Sequence, residues 1–209
     1  MKAQSCIFCK SPLESSFALG QVCEKCESPQ PLAPSENYFT LLGAEEKFKQ
    51  DLPSLEKRFY EVSRILHPDR FSNSEDSKKK DIALSRMSEL NQAYQTLKTP
   101  TLLREYLLKL HGIQNEKPAV PTEFAEEWFQ VQEQVMDEPE EALAHVGAFE
   151  GKLHLARKDL ETQLKELEEL FDTRGDRSTL EKIQKLGLQG QYFQSMKRDL
   201  DRLKLRLGL

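Results

Sequence analysis

The sequence predicts an all-α protein: an antiparallel helical hairpin and a C-terminal antiparallel three-helix bundle, preceded by a small zinc-ribbon-like module. Three observations carry this. Apolar residues recur at helical spacing through most of the chain after residue 36. Strand-like alternation is missing outside the cysteine-bearing leader, and there is no internal repeat. All four cysteines lie within the first 26 residues.

The cysteines form two pairs, Cys6-x-x-Cys9 and Cys23-x-x-Cys26, separated by thirteen residues. Each CxxC turn places two sulfurs on one side of a tight loop, so the two pairs together have the ligand spacing of a tetrahedral four-thiolate site. A zinc ion would fold a segment too small to bury a core of its own. The connection from Lys10 to Val22 is expected to form a hairpin between the pairs. Two disulfides are the rival reading, although no export signal supports an oxidising compartment. A redox-active CxxC would belong to a βαβ unit, and none is visible. Thiolate softness does not separate zinc from iron.

Residues 1–28 are therefore assigned to the metal-binding module and 29–35 to a Pro-rich, semi-rigid spacer containing Pro29, Pro31 and Pro34. Tyr38, Phe39, Leu41 and Leu42 predict a short helix ended by Gly43. Leu55, Phe59, Val62 and Leu66 form one stripe of a helix from about Pro53 to Leu66. Ala83, Met87, Leu90, Tyr94 and Leu97 do the same from about Lys79 to Lys98. These two helices make the hairpin. A further short helix, Thr101–Leu110, buries Leu103, Tyr106, Leu107 and Leu110, and Gly112 closes it. Residues 36–112 form one domain and 113–121 a second linker.

The bundle occupies 122–209. Its first stripe is Phe124, Trp128, Val131 and Val135, ending before Pro139. The second runs from Val146 through Phe149, Leu153, Ala156, Leu160, Leu164 and Leu167 to Phe171, with a stutter at 160–164. A loop from Asp172 to Ser178 precedes the third stripe: Leu180, Ile183, Leu186, Phe193, Met196, Leu200, Leu203 and Leu207.

Composition limits the function. The 209 residues are 38% apolar and 31% charged, with nine Gly and ten Pro, as expected of a soluble helix-rich chain. No stretch approaches the ~20 apolar residues of a membrane span, and Met1 to Cys6 lacks a secretory apolar run. A cytoplasmic location is expected. The net charge of −5 is concentrated in 113–141, where nine carboxylates face Lys117 alone. Such a segment disfavours nucleic acid and suits a basic protein surface. There is no G-x-x-x-x-G-K-[ST] loop, so the chain is expected to bind no nucleotide. His111, His145 and His154 are scattered and read as surface or packing residues.

The tripeptide His67-Pro68-Asp69 falls at the hairpin tip. Pro68 disfavours the helical region for His67 and stops the first helix. Asp69 then lies in an exposed turn. With Asn37-Tyr-Phe-Thr-Leu-Leu-Gly43 before it and Asn91-Gln-Ala-Tyr94 after it, the segment resembles a J-domain. Tyr106-Leu-Leu-Lys-Leu-His-Gly112 is similar to one branch, the HscB co-chaperones of iron–sulfur cluster assembly. Phe171-Asp-Thr173, Lys185-Leu186 and Tyr192-Phe193 extend the likeness, and the paired CxxC leader resembles the animal-type members.

The resemblance implies docking on an ATP-bound chaperone of the DnaK/HscA class, with His67, Pro68 and Asp69 triggering hydrolysis, and an IscU-type scaffold as client. It implies no enzymatic activity in this chain. At 100° per residue, Lys57 and Arg64 lie within about 20° of each other, opposite the apolar stripe; Arg58 and Arg70 extend this basic face. For the client, matching the first bundle helix to the family places Phe129 and Glu133 toward the scaffold, with Gln130 where an acidic residue is common. Met136 joins Phe129 from one heptad on, and Tyr192 joins from the last helix. The competing reading is that Phe129 and Met136 widen the core stripe. Ala125 and Glu126 depart from the family, which carries two large apolar residues there. Alternative functions are a general J-domain adaptor with another client, and a metal- or redox-sensing regulator acting through the CxxC module.

Overall fold

The computed structural model describes residues 5–13, 21–33, 36–72, 74, 76–113 and 121–208. The chain divides into two compact units, Met1–Leu107 and Leu108–Leu209. Among the described residues there are seven α-helices, two isolated β-bridges and no strands. None of these helices is long and apolar enough to cross a membrane.

In the first unit, α1 (Tyr38–Leu42) starts at Asn37, whose side chain accepts from the Thr40 amide while Thr40 reaches back to the Asn37 amide. It ends at Gly43, whose left-handed φ of 57° returns two amides to the last carbonyls. Helix α2 (Leu52–Leu66) is capped by Asp51, with Pro53 in its first turn. Helix α3 (Ser77–Lys98) runs back along α2 from an Asp76 cap. Leu55, Val62 and Leu66 of α2 meet Leu90, Ala93 and Leu97 of α3, with Phe39, Leu41 and Leu42 of α1 completing the core. Phe59 stacks on Tyr94 at 4.5 Å between ring centroids, which holds the hairpin arms in register.

Helix α4 (Pro100–Leu110) contributes Leu103 and Leu107 to this core. Its Tyr106 stacks on Tyr38 at 4.4 Å and accepts from the Tyr38 amide. Leu110, expected in the core, is 39% exposed; Leu108 and Ile113 are buried instead. Gly112, at φ 67°, turns the chain so that the Ile113 amide reaches the Leu108 carbonyl, and the apolar contact shifts to that pair.

The second unit holds α5 (Thr122–Asp137), α6 (Pro139–Arg174) and α7 (Arg177–Arg206). Phe124 packs on Phe193 and Trp128 on Phe149. Lys152 binds Glu123 and Glu127 across α5–α6, while Lys197 and Lys204 both reach Glu150 across α6–α7. Leu160 and Leu164 are both buried, so the stutter does not interrupt the core. At Gly190 an added Cβ would lie 3.3 Å from Leu160 Cδ2: the missing side chain lets α7 approach α6 there.

The predicted loop at 172–178 contracts to two residues. Helix α6 continues to Arg174, Gly175 caps it at φ 68°, and Asp176 opens α7 by accepting from the Thr179 amide. Bonds from Ser178 and then Thr179 hold the Asp176 carboxyl at about 2. A left-handed glycine followed directly by an N-cap satisfies both helix ends without further chain. Helix α6 also begins at Pro139, a full two turns before Val146, because proline suits a first helical position.

Candidate functional site

The hairpin tip is built by backbone chemistry. Pro68 forces His67 into an extended conformation (φ −57°, ψ 127°), ending α2, and Pro68–Phe71 continue as a 3₁₀ turn. Phe71 is buried and anchors the turn. His67 and Asp69 are exposed and Pro68 is partly covered. His67 Nδ1 accepts from the Asp69 amide at 3.3 Å. That nitrogen also lies 3.5 Å from the Asp69 carboxylate. The His67 and Asp69 side chains therefore face outward with weak internal commitments.

Of the basic residues beside the tip, Lys57 and Arg64 are exposed and Arg58 is partly buried. Arg70 is engaged: its guanidinium donates to the Ile65 carbonyl at 3.1 Å, at the C-terminal end of α2, and lies 3.8 Å from Glu27.

The second cluster is the cysteine module. The four Sγ atoms all lie within 4.8 Å of one another. Cys6–Cys26 and Cys9–Cys23 are each 3.6 Å apart, close to the edge of about 3.8 Å expected for sulfurs 2.3 Å from a central zinc. The thiols are free, and these separations far exceed the ~2.05 Å of a disulfide. Each knuckle turns through a left-handed residue after its second cysteine, Lys10 (φ 63°) and Glu27 (φ 52°). The amides of Phe8 and Cys9 both point at Cys6 Sγ from 3.4 Å.

Ser11 bridges Cys9 and Cys23, and its hydroxyl and amide hydrogen bonds hold the Cys9 thiol down at about 6. The same hydroxyl lowers Cys23, whereas burial raises Cys26. Four sulfurs at these separations fit a tetrahedral metal ion. The bridges within the module, Ser5 to Pro12 and Val22 to Pro29, are local to each knuckle. Residues 14–20, in the expected hairpin between them, lie outside the described set. The spacer expected at 29–35 is partly packed: Ser28, Pro29 and Gln30 are all buried because they close the second knuckle.

The bundle carries a third surface. On α5, Phe129 is 60% and Met136 83% exposed, so neither widens the core. Glu126, Gln130, Glu133 and Asp137 are exposed on the same helix. Tyr192 is partly buried, and Ala125 is half-covered. His145 and His154 are exposed, and His111 packs edge-on against Phe171.

Sequence reasoning missed one polar cluster. Arg86, 1% exposed, lies inside α3. It donates to both carboxylate oxygens of Glu36, at 3.0 and 2.9 Å, and to Gln21 Oε1. Burial opposes ionisation of Glu36, but hydrogen bonds and charge from Arg86 outweigh it, and the carboxyl sits below its ordinary value. The signal was present: the buried α3 positions 83, 86, 90, 93 and 97 follow helical spacing, with arginine at one of them.

A helical hairpin with an outward His-Pro-Asp tip, joined in one chain to a three-helix bundle, defines a J-domain co-chaperone architecture. No family model matches the chain. It is 39% identical over 131 residues to the Proteus mirabilis co-chaperone protein HscB, covering 59% of this chain and 75% of that one. The chain belongs to the HscB co-chaperone family, whose members assist a chaperone and are not enzymes. It is 29% identical over 143 residues to the mouse iron-sulfur cluster co-chaperone protein HscB (67% of this chain, 61% of that protein). The human protein of the same name is 36% identical over 92 residues (44% and 39%). The folds agree. The crystal structure of human HscB covers 97% of this chain and is itself covered completely, with a TM-score of 0.69 at 22% identity. Chaperone HscB from Vibrio cholerae matches with a TM-score of 0.55 at 24% identity, covering 82% of this chain and 99% of that one.

Proposed function

We propose that this chain docks its hairpin tip on an ATP-bound chaperone of the DnaK/HscA class, stimulates ATP hydrolysis, and delivers an IscU-type iron–sulfur scaffold through its bundle. His67, Pro68 and Asp69 act as the trigger, and Lys57, Arg58, Arg64 and Arg70 line the docking face. The observation that carries this is the exposure of His67 and Asp69, held by Pro68 and Phe71 at the end of a paired-helix arm. Their polar side chains are satisfied by no strong internal partner and are presented for another molecule. The tip binds the hydrolysis-competent state of the partner more tightly than the others, which is the physical requirement for shifting it. The nearby cations supply encounter rate and orientation.

The client surface is the outer face of α5: Phe129 and Met136 as apolar contacts, Glu133 beside them, and Tyr192 from α7. An apolar pair among carboxylates fits a scaffold patch that is basic and apolar. Ala125 and Glu126 favour a second reading, a different client. Two large apolar anchors absent from those positions would forgo ~3–5 kcal/mol of contact. The four cysteines hold a structural Zn²⁺, and a four-thiolate metal site suits a reducing, cytoplasmic setting.

The test is steady-state ATPase of a DnaK/HscA-class chaperone with this protein, with IscU, and with both. Synergy between the two supports the assignment. Stimulation without synergy moves the chain to the adaptor reading, and no stimulation at all removes the trigger role of the tip.

A further inference from the structure

Two residues face each other across the base of the second cysteine knuckle. The Gln30 amide donates to the Gln21 carbonyl at 3.0 Å, and the Cys23 amide donates to the Ser28 carbonyl at 2.9 Å, so the segments entering and leaving Cys23–Cys26 are paired. Both side chains are buried, and they reach toward different parts of the unit. Gln30 extends to the first knuckle: its amide nitrogen lies 3.4 Å from Cys6 Sγ, and its carbonyl oxygen accepts from the Ile7 amide at 3.1 Å. Gln21 extends to the helical core: its oxygen accepts from Arg86, and its nitrogen donates to Glu36 at 3.3 Å.

We propose that Gln21 and Gln30 couple the four-cysteine centre to helix α3, so that metal occupancy and the stability of the hairpin form one thermodynamic system. This rests on the four cysteines holding a metal ion. Gln30 and Gln21 are positioning residues: neither supplies a ligand.

The physical chain is short. A bound ion ties Cys23 and Cys26 to the first knuckle and so closes the paired segment at Gln21 and Gln30. That closure holds the Gln21 amide against Arg86. Arg86 depends on it, because its guanidinium is buried and, among the described residues, its Nε finds no partner and Glu36 is the one carboxylate paired with it. With the knuckle open, a buried guanidinium loses an acceptor it has no water to replace. Coupling of this kind is reciprocal: if metal steadies α3 through Gln21, then α3 strengthens metal binding by the same factor. Two lesser contacts span the same junction, Glu27 to Arg70 at 3.8 Å and Lys79 over the Phe8 ring at 5.4 Å. The first lies on exposed side chains and the second on partly exposed ones, and both contribute little.

The experiment uses the full chain and zinc(II). Zinc affinity is measured by competition with a chromophoric chelator, and hydrogen exchange of α3 is followed with zinc bound and after its removal. In the wild type, zinc removal accelerates exchange around residues 83–90. Gln21→Met keeps side-chain volume and leaves the Arg86–Glu36 pair intact, so the hairpin still folds. This variant binds zinc about tenfold more weakly, in the range of outer-sphere effects, and its α3 exchange no longer responds to zinc. A wild type whose α3 exchange ignores zinc overturns the coupling, as does a Gln21→Met variant with unchanged affinity or with zinc-responsive α3. A chain that does not bind zinc at all overturns the metal reading itself, and the competition titration reports that separately.

Discussion

The first unit contains two polar clusters built on opposite plans. At the hairpin tip, His67 and Asp69 are exposed and share one long, weak hydrogen bond. Inside α3, Arg86 is enclosed, and Glu36 and Gln21 close around it. Exposure makes the first cluster nearly irrelevant to stability and available to a partner. Enclosure makes the second a condition of folding, since a buried charge deprived of its counter-charge has no solvent to replace it. Polar chemistry on one helical scaffold is thus left open to solvent or committed to architecture according to whether water can reach it.

The largest expected effect tests the enclosed cluster. Glu36→Gln leaves Arg86 buried without a counter-charge and should cost about 3 kcal/mol at pH 7, read from urea unfolding by circular dichroism. The pH dependence has a definite sign. The folded Glu36 carboxyl is depressed below its ordinary value, so its contribution is present above the unfolded value and disappears as pH falls through the folded one. The variant should lack that part of the acid limb. An unaltered acid limb would show that Arg86 is stabilised by something else.

Next in size is an exposed polar group with a structural task. Asp51 caps α2 through the Ser54 amide and hydroxyl, and Asp51→Ala should cost ~1 kcal/mol in the same assay. The tip should fall lower still. His67→Gln is expected to change stability by under about 0.5 kcal/mol while abolishing stimulation of chaperone ATPase. A stable variant that still stimulates would break the contrast between the two clusters. The smallest stability change belongs to Lys57→Ala, at an exposed site opposite the core stripe. Its chaperone affinity should drop modestly at low salt, and the difference should vanish as ionic strength rises. A salt-independent loss would point to packing instead of charge.

Much of this was legible in one dimension. The helices α1 to α4 follow from stripes such as Leu55–Phe59–Val62–Leu66, and their ends from Asn37, Gly43 and Pro68, whose backbone demands are local. The outward direction of Phe129 and Met136 could be posed from spacing but not resolved, because two residues beside a core stripe can either widen it or face solvent. The loop between α6 and α7 was overestimated because apolar periodicity lapses before a helix does. Gly175 and Asp176 carry the true ends, and their caps are satisfied within one turn.

Arg86 shows the deeper limit. Its position on the buried stripe of α3 is readable, yet a charged residue there reads as a flaw in the pattern until its partners are known. Those partners, Glu36 and Gln21, are fifty and sixty-five residues away. Periodicity, capping and ligand spacing are short-range properties, so the chain alone determined the helices, the hairpin tip and the four-sulfur knuckles. Which polar groups meet out of reach of water depends on how the elements pack, because desolvation is a property of the assembled core. Only the tertiary structure decided that.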